Sequence, residues 1–468
     1  RHLAAGPASR RAMTTSQAPQ GPVEATIDAD SRREDGGAEA LTVDGSSGSI
    51  PPEVLDLFDT LRGEALRRLD EFGPIHLFSL CWAYSTARLL DEDLRQRIVH
   101  SAILLGEKRD RKPRSEPPPL VSTTPGRSAL EGGEDLREEP RVLMEGDHWV
   151  ALYKPPYWQV NVDAKEAAKA AERSADIAPF DDEDDEGDAE DAAPAQLSAP
   201  RPGGPQSMRT WIRQQLASQY PVCTDAIEAY GLLHRLDVQT SGVLLAAKTY
   251  VGAYWLRLQW CSYLVDKEYV CLVHGWVPRD VREIHTRIRV DKKKAPNSRR
   301  TISTLCTVGA NGKPSFTEVA TLAHLVRPAL GQSERYSLVV LKLHTGRTHQ
   351  IRVHMQSIGH PLVTDKKYGE ATHFQDSMWC PRNFLHTYHL GFDEVPPASG
   401  AAEEAPEPVD ILCPLPTDLR GVLAGLRPVD ERSRPFFEDW CTGEAARLRA
   451  FEEYAGEPRA EPGAEQCG

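Results

Sequence analysis

A carboxylate at the end of a short apolar segment is the first group in this sequence whose surroundings suit chemistry. The apolar stretch at 232–236 predicts a strand that delivers Asp237 near its end. A Thr-Ser-Gly turn follows at 240–242, and a second apolar strand is predicted after it. A carboxylate held at a strand end beside a tight turn is rigid enough to act as a nucleophile or base. On its own the segment still favours a simpler interpretation, a structural aspartate paired with the neighbouring Arg235.

A second segment, 336–369, carries polar groups in a pattern that suits a binding site. An apolar strand is predicted at 336–343, and a helix at 348–358 ends at a glycine. Arg347 comes directly before this helix, close enough to pair with a carboxylate from another strand. Three polar side chains form a helix face suited to phosphate or ribose contacts, and they are Gln350, Arg352 and His354.

The sequence carries no recognisable metal-binding pattern. His349 and His354 lie five residues apart rather than four, and no H-E-x-x-H motif contains them. The nine cysteines form no C-x-x-C pair and no metal-finger spacing, which is typical of reduced, buried thiols in an intracellular protein. We therefore expect no metal ion at the site.

The two segments together closely resemble the RluA class of RNA pseudouridine synthases. The matching motifs are His234-Arg235-Leu236-Asp237, Thr240-Ser241-Gly242, the run from Gly346 to Arg352, Gly359-His360-Pro361 and Tyr368-Gly369. Lys267 and Tyr269 fall on the family's K-x-Y pattern, and Lys154-Pro155-Pro156 is a weaker match in the opening strand. The match runs from about 141 to 424, interrupted by an acidic insert. Any one motif is moderately specific, whereas four in the right order are a strong indication.

The resemblance implies a role for each matching residue. Asp237 would be the nucleophile or base that converts uridine to pseudouridine, and Arg347 would pair with it. Tyr269 would stack on the target uracil and serve in proton removal at C5. Arg235 would hold the flipped-out nucleotide or fill the space that it leaves. Further candidate residues for substrate or RNA contact are His234, Thr240, Lys267, Gln350 and Arg352.

The chemistry of this reaction agrees with those residue types. It breaks a C–N glycosidic bond, turns the base over and joins C5 to C1′, which requires a carboxylate, an aromatic platform and a closed pocket. The reaction is redox-neutral and has no phosphoryl step, so we expect no cofactor. Whether Asp237 attacks C1′ or deprotonates C2′ to give a glycal is left open by the sequence.

Three positions depart from the family's pattern. Tyr157, after an extra Pro156, stands where a glycine is usual, and Thr364-Asp365 replaces Gly-Asp. Asp393 to Pro396 stands where a His-Pro pair usually follows the C-terminal core strand. No departure removes a proposed catalytic group, but each could change the fit of the substrate.

Local charge is more informative here than the net charge of −14. Residues 181–191 are mostly acidic, whereas 282–300 is strongly basic and includes Lys292, Lys293 and Lys294. We expect this basic strip to lie on a hairpin that contacts RNA phosphates, with a merely solvated hairpin as the alternative. The expected partner is therefore RNA, from rRNA, tRNA or mRNA. Because no run of 18 apolar residues occurs, we expect no membrane span, and no obligatory protein partner is evident.

The alternation of short β-branched runs with helical stretches predicts an α+β fold. We expect a mostly antiparallel mixed sheet flanked by helices, the pseudouridine synthase catalytic fold, preceded by a small α-helical segment. The predicted order is a disordered leader (1–50), the α-helical segment (51–108), a linker (109–140), the catalytic domain (141–424) with a disordered acidic insert (164–207), and a tail (425–468) with at most one short helix at 444–454.

Several alternatives stay open at this stage. The helical segment resembles one unit of the helical repeats of organellar RNA-binding proteins, or it is a helical plug with no RNA role. The leader is either transit-peptide-like or simply basic and disordered, so an intracellular location leaves a plastid or mitochondrion open. The main rival to an enzyme is a protein of this fold that has lost catalysis and acts as an RNA chaperone. A carboxylate-based glycosidase or nuclease is more distant, because no second acid or metal cluster is evident.

Overall fold

The computed structural model describes residues 51–111, 138–160, 206–294, 301–328, 333–396 and 406–444, with side chains omitted at 292–294 and 301–303. The predicted leader lies outside the described residues. So do most of the predicted linker and insert, and the helix predicted at 444–454.

The described secondary structure begins with helices and continues with a mixed sheet. The helices are α1 (Pro52–Arg68), α2 (Pro74–Ala87), α3 (Glu92–Asp110), α4 (Met208–Gln215), α5 (Tyr250–Cys261), α6 (Gln350–Ser357), α7 (Glu370–Asp376), α8 (Thr417–Leu423) and α9 (Ser433–Thr442). The strands are β1 (Arg141–Glu145), β2 (Trp149–Lys154), β3 (Ser241–Ala247), β4 (Asp266–His274), β5 (Glu283–Ile284), β6 (Ile288–Lys294), β7 (Thr301–Val308), β8 (Thr317–Arg327), β9 (Glu334–Leu343), β10 (Leu385–Asp393), β11 (Pro408–Leu412) and β12 (Arg427–Pro428).

The main sheet has the strand order β1-β2-β3-β10-β4-β9-β8-β12, with β11 on β10 and β5 on β8. Among the described strands, only the short β3–β10 contact is parallel. The predicted α+β class with a mostly antiparallel mixed sheet and flanking helices is therefore confirmed.

The centre of the sheet is buried on both faces, which is why its strands read as continuous apolar runs. Along β4, Val270 and Leu272 belong to one core cluster, whereas Cys271 and Val273 belong to another. Helix α6 covers the second cluster through Ile351, and helices α8 and α9 cover the first. The face that carries α6 also carries the candidate catalytic groups described below.

The described structure contains a packed helix beyond the boundary predicted at 424. Helix α9 lies beyond it, and its Phe436 and Trp440 are buried in the same cluster as β4 and β9. The Trp440 ring packs edge-on against Tyr388 of β10, with centroids 5.0 Å apart. This stretch was expected to be part of the tail because it contains few apolar residues. Those residues are spaced to fall on one face of a helix, and that face is buried. The compact body therefore continues to at least Thr442.

The predicted N-terminal helical segment is present as α1 to α3, and it packs on the catalytic body. Leu77 and Ile98 share one core cluster with Leu244 of β3 and Tyr254 of α5. Helix α3 continues to Asp110, so its last two residues are not part of the linker predicted to begin at 109. Within the described stretches, no helix is long and apolar enough to cross a membrane.

Candidate active site

The segment that delivers Asp237 is irregular and not the strand predicted from its apolar residues. Leu232 forms an isolated bridge with Ala246 of β3, and the N–H of Leu233 donates to the carbonyl of Leu245 at 3.3 Å. Asp237 then begins a turn in which the Thr240 N–H donates to its carbonyl at 3.1 Å. Its side chain is 18% exposed, which leaves the carboxylate accessible to a ligand.

The Asp237 carboxylate faces two basic side chains of the segment around α6. One of its oxygens lies 3.3 Å from Nη1 of Arg352 and 3.9 Å from Nε2 of His349. The Nε and Nη2 atoms of the same guanidinium donate to Asp365 at 2.8 and 3.0 Å. Buried Arg352 therefore joins two carboxylates, and Asp365 fixes the plane of the guanidinium that meets Asp237.

The expected pairing of Arg347 with Asp237 is corrected by this geometry. The Arg347 Nε donates to the carbonyl of Pro314 at 3.1 Å, and its backbone N–H donates to Gln350 Oε1 at 3.0 Å. Arg347 lies in the turn before α6 and is directed toward the chain that enters β8. Arg352, in the first turn of α6, is buried and takes the position beside Asp237.

Asp365, part of one departure from the family's pattern, is a further residue of the candidate site because it binds Arg352. It accepts backbone N–H donors from Lys367 and Tyr368, both at 3.0 Å. Burial alone would raise the pKa of Asp365, but Arg352 and these donors outweigh it and hold the pKa below its ordinary value. The buried carboxylate is therefore ionised and is a fixed counterion for Arg352.

Two departures from the family's pattern have the same structural explanation. Thr364 has φ of 63° and Tyr157 has φ of 66°, and both values lie in the left-handed region. Glycine adopts this region without strain, which accounts for the glycines usual at both positions. This chain keeps the backbone conformation with larger side chains. The Tyr157 N–H donates to the carbonyl of Val238, beside Asp237, at 2.6 Å.

Tyr269 lies in the middle of β4 and shares a core cluster with Leu236, the residue before Asp237. It pairs in register with Leu341 on β9 and Thr387 on β10, and only 9% of the residue is exposed. Burial, together with the nearby carboxylate charge of Asp237, raises the pKa of Tyr269 to about 12. The phenol is therefore neutral and protonated at physiological pH.

Lys154, at the end of β2, binds the backbone of the turn that follows Asp237. Its Nζ is wholly buried and donates to the carbonyls of Pro155 (3.1 Å), Val238 (3.1 Å) and Thr240 (2.7 Å). Burial lowers the pKa of Lys154 well below its ordinary value, and the carboxylate of Asp237 opposes the shift. The weak Lys-Pro-Pro match was the only signal for this residue, and it implied no role for the side chain.

Arg382 holds the other side of the turn, and no sequence pattern identified it. This buried guanidinium donates to the carbonyl of Gln239 at 3.0 Å, to Ser241 Oγ at 2.9 Å and to Asp418 at 2.6 Å. The turn thus lies between the buried Lys154 amino group and the buried Arg382 guanidinium, which donate to its backbone and side-chain oxygens.

Gly242 explains why the Thr-Ser-Gly turn ends as it does. Its φ is 129°, and a Cβ at this position would overlap the backbone of Thr387. At this point β3 and β10 form their parallel contact. Strand β3, which follows the turn, therefore lies beside β10, and Thr387 of β10 pairs with Tyr269 of β4. A side chain at Gly242 would separate these strands.

Two residues expected to contact RNA have internal partners instead. Gln350 is buried, accepts from Thr345 Oγ1 at 2.8 Å and donates to the carbonyl of Phe316 at 2.9 Å. His234 accepts the N–H of Leu245 at 2.9 Å and stacks on Trp260 with centroids 4.6 Å apart. These contacts fix the two ends of the site, so we assign both residues to its support.

The remaining predicted contact residues keep their assignments as predictions. Lys267 is buried, with Nζ 5.3 Å from the ring centroid of Trp260, and burial lowers its pKa to about 8. Arg235 is half-buried beside the turn, and Thr240 is buried within it. Residues 292–294 lie on β6, where only the backbone is described.

The basic strip forms a hairpin outside the main sheet, as predicted. Strands β6 and β7 pair only with each other as a two-stranded sheet. The root of the hairpin packs on α6, because Ile288 and Cys306 share a small cluster with Val353. The Cys306 N–H also donates to the Tyr368 hydroxyl at 2.9 Å, and His349 Nδ1 lies 2.9 Å from the same hydroxyl. The hairpin is therefore connected to the site by direct hydrogen bonds.

Comparison with known proteins agrees with this arrangement. Residues 201–357 match the family model of RNA pseudouridylate synthases. An uncharacterised RNA pseudouridine synthase, YlyB of Bacillus subtilis, is 34% identical over 210 residues, or 44% of this chain and 60% of that protein. Ribosomal large subunit pseudouridine synthase C of Pasteurella multocida is 35% identical over 206 residues, or 42% of this chain and 54% of that protein. The chain thus spans three fifths or less of the length of these two relatives.

One solved structure with a similar description is human RNA pseudouridylate synthase domain containing 1. It shares 22% sequence identity with a TM-score of 0.39, and the alignment covers 64% of this chain and 91% of the human one.

Proposed function

We propose that this chain isomerises specific uridines in RNA to pseudouridine, since residues 201–357 match the family model of RNA pseudouridylate synthases. The observation that carries the proposal is the accessible carboxylate of Asp237, held by Arg352 and following Leu236, which shares a core cluster with Tyr269. In this proposal the target nucleotide leaves its helix and enters the space in front of Asp237. The extra cost of unstacking and unpairing a base favours targets in loops or single strands.

Asp237 is proposed as the catalytic carboxylate. The guanidinium of Arg352, with Nη1 3.3 Å away, orients this carboxylate for attack at C1′ or proton removal at C2′. Lys154 and Arg382 restrain the turn around it, so the carboxylate meets the sugar with little freedom left to lose. Both mechanisms use the same residue in the same position.

Tyr269 is proposed first as the platform on which the uracil ring stacks. Its neutral phenol, with a pKa of about 12, suits stacking and hydrogen-bond donation. Proton removal at C5 by the phenolate would require ionisation, which costs about 7 kcal/mol at neutral pH for a pKa of this size. If Tyr269 accepts the proton from C5, the bound nucleotide must therefore lower the free energy needed to ionise the phenol.

The class of RNA is a further part of the proposal. The name of the Pasteurella relative assigns it to the ribosomal large subunit, which makes rRNA one candidate beside tRNA and mRNA. The hairpin of β6 and β7, with lysines at 292–294 and its root on α6, supports a phosphate-binding surface next to the site.

The test is tritium release from RNA transcripts that contain 5-tritiated uridine, followed by mapping of pseudouridine in cellular RNA. Wild-type protein should release tritium from C5, and Asp237→Asn should abolish release while RNA affinity changes little. Asp280→Asn is a matched control, because Asp280 is exposed and remote from the turn in sequence. Full pseudouridine levels in cells that carry only Asp237→Asn would refute the assignment. RNA binding without tritium release by the wild type would favour the chaperone alternative.

A further inference from the structure

A strained turn lies directly upstream of the segment that delivers Asp237. Ala229, Tyr230 and Gly231 have φ of 51°, 59° and 81°, three consecutive residues in the left-handed region. Only the glycine adopts this conformation without cost, and a Cβ on Gly231 would come within 2.6 Å of the Ala247 carbonyl oxygen. Such a backbone persists only where its surroundings impose it.

The turn is held from one side by a buried cluster of charges. The Glu228 carboxylate, which precedes the turn, pairs with Arg257 of α5 and with Arg109 of α3 at 2.5 Å. Arg109 also pairs with Asp225 at 2.7 Å. Burial would raise the pKa of Glu228, but the guanidinium groups of Arg257 and Arg109 outweigh it and keep the pKa below its ordinary value. The carboxylate is therefore charged and bound by two arginines.

One of those arginines comes from outside the region that resembles the family. Arg109 belongs to the last turn of α3, the final helix of the N-terminal segment. Its neighbour Asp110 makes a separate contact, in which its carboxylate accepts the N–H groups of Tyr250 (3.0 Å) and Val251 (3.2 Å) at the start of α5. Arg109 therefore contacts both the turn, through Glu228 and Asp225, and α5, through the Tyr254 hydroxyl at 2.6 Å. The Asp110 carboxylate contacts the start of α5 and not the turn, so the two residues differ in their contact with Glu228 and Asp225.

The position of the turn sets the position of the catalytic carboxylate through a short backbone path. After the turn, Leu232 and Leu233 pair with β3, and His234 accepts the N–H of Leu245. Asp237 follows three residues later. A shift of the turn therefore moves this segment along β3 and carries Asp237 away from Arg352. Misplacement of a reacting group by about 1 Å can lower a rate by roughly 100-fold.

We propose that Arg109 is a positioning residue for Asp237, and that the helical segment 51–110 supports the catalytic turn through it. This inference rests on the proposed function, since it assigns a distant residue to the same reaction. It gives the N-terminal helices a role that does not depend on RNA contact.

The test compares Arg109→Gln, Arg109→Lys and Asp110→Asn in the full chain. Each variant is assayed with a transcript that the wild type modifies, at a temperature where thermal unfolding shows it to be folded. Arg109→Gln should lower kcat roughly 10- to 100-fold with little change in KM for RNA. Arg109→Lys should recover part of the loss, because an ammonium pairs with Glu228 or Asp225 but lacks the two-pronged guanidinium. Asp110→Asn should lower the melting temperature and leave kcat near the wild-type value.

A second measurement reports on position without requiring activity. Hydrogen–deuterium exchange should quicken at the amides of Leu233, Thr240 and Leu245 in Arg109→Gln, and not in Asp110→Asn. Unchanged exchange in Arg109→Gln would overturn the proposal. So would equal losses of kcat in the Gln and Asn variants, or a raised KM for RNA with kcat intact. If the wild type makes no pseudouridine, the proposed function fails, and the exchange data still decide whether Arg109 positions the turn.

Discussion

Arg352 donates two hydrogen bonds to the buried carboxylate of Asp365, at 2.8 and 3.0 Å, and only its Nη1 reaches Asp237. The planar guanidinium is thereby fixed by a residue that is not exposed to the substrate. A carboxylate that must change its contacts during a reaction benefits from a partner that does not move with it. Asp365 therefore belongs to the site as the residue that orients Arg352.

Replacement of the two arginines near α6 should have unequal effects. Arg352→Lys keeps the positive charge but loses the two-pronged bond to Asp365, so we expect kcat to fall by about 100-fold or more. Arg347→Lys removes one bond to the Pro314 carbonyl and should cost markedly less. Single-turnover tritium release measures both. Equal losses in the two variants, or a larger loss for Arg347→Lys, would contradict the pairing of Arg352 with Asp237.

Tyr269→Phe separates the platform role from proton transfer. The variant keeps the ring and removes the hydroxyl, so RNA affinity should stay near the wild-type value. If the hydroxyl serves in proton removal at C5, tritium release should fall by about 100- to 10,000-fold, the range for general acid–base catalysis. Tyr269→Leu, which also loses the ring, should in addition weaken binding of the target nucleotide. Wild-type release by Tyr269→Phe would leave Tyr269 with the platform role alone.

Lys267 should give the protein a pH-dependent stability in mildly alkaline solution. Burial holds its folded-state pKa at about 8, below the unfolded value, so the unfolded chain binds more protons between pH 8 and about 10.4. The free energy of unfolding should therefore rise with pH through this window, by up to about 3 kcal/mol. Lys267→Met should remove the rise and be more stable than the wild type at pH 7, as urea unfolding would measure.

Lys342→Met is the matched control for that experiment. Lys342 pairs with Asp266 at 2.7 Å, and although burial opposes ionisation, this partner raises the pKa of Lys342. Its contribution is present below the unfolded pKa and is lost as pH rises through the folded one. The Met variant should thus be less stable than the wild type at pH 7. A stability that stays flat from pH 8 to 10 in the wild type would argue against a buried, strained Lys267.

Local sequence patterns predicted the elements well because each depends on a short apolar run. The predicted strand at 336–343 lies within β9, and the predicted helix at 348–358 contains α6. The segment at 232–236 is an exception, because it was predicted as a strand and is irregular. Its leucines follow a strained turn, whose geometry depends on contacts with distant residues such as Arg109. Periodicity carries no information on such contacts.

The site could be predicted as a set of residues but not as a set of pairs. Arg347 and Arg352 lie five residues apart in one motif, and which of them meets Asp237 depends on the direction of the helix face. No sequence pattern pointed to Arg382, because its contacts include backbone carbonyl groups that come close to it only in the folded chain. Long-range placement of this kind follows from tertiary packing.

The lysines of the hairpin give the last prediction, which concerns the dependence of RNA affinity on salt. Each lysine that neutralises a phosphate releases counterions, so removing one should reduce the slope of log K against log salt by about 1. Replacement of Lys292, Lys293 and Lys294 by Ala should therefore reduce the slope by two to three and weaken RNA binding, as filter binding between about 50 and 200 mM salt would measure. Lys108→Ala, at an exposed position on α3 and outside the hairpin, is the control for a general loss of charge. A slope unchanged by the triple substitution would mean that the hairpin is merely solvated. Because its root packs on α6 through Ile288 and Cys306, a bound phosphate backbone would then have to reach Asp237 by another surface.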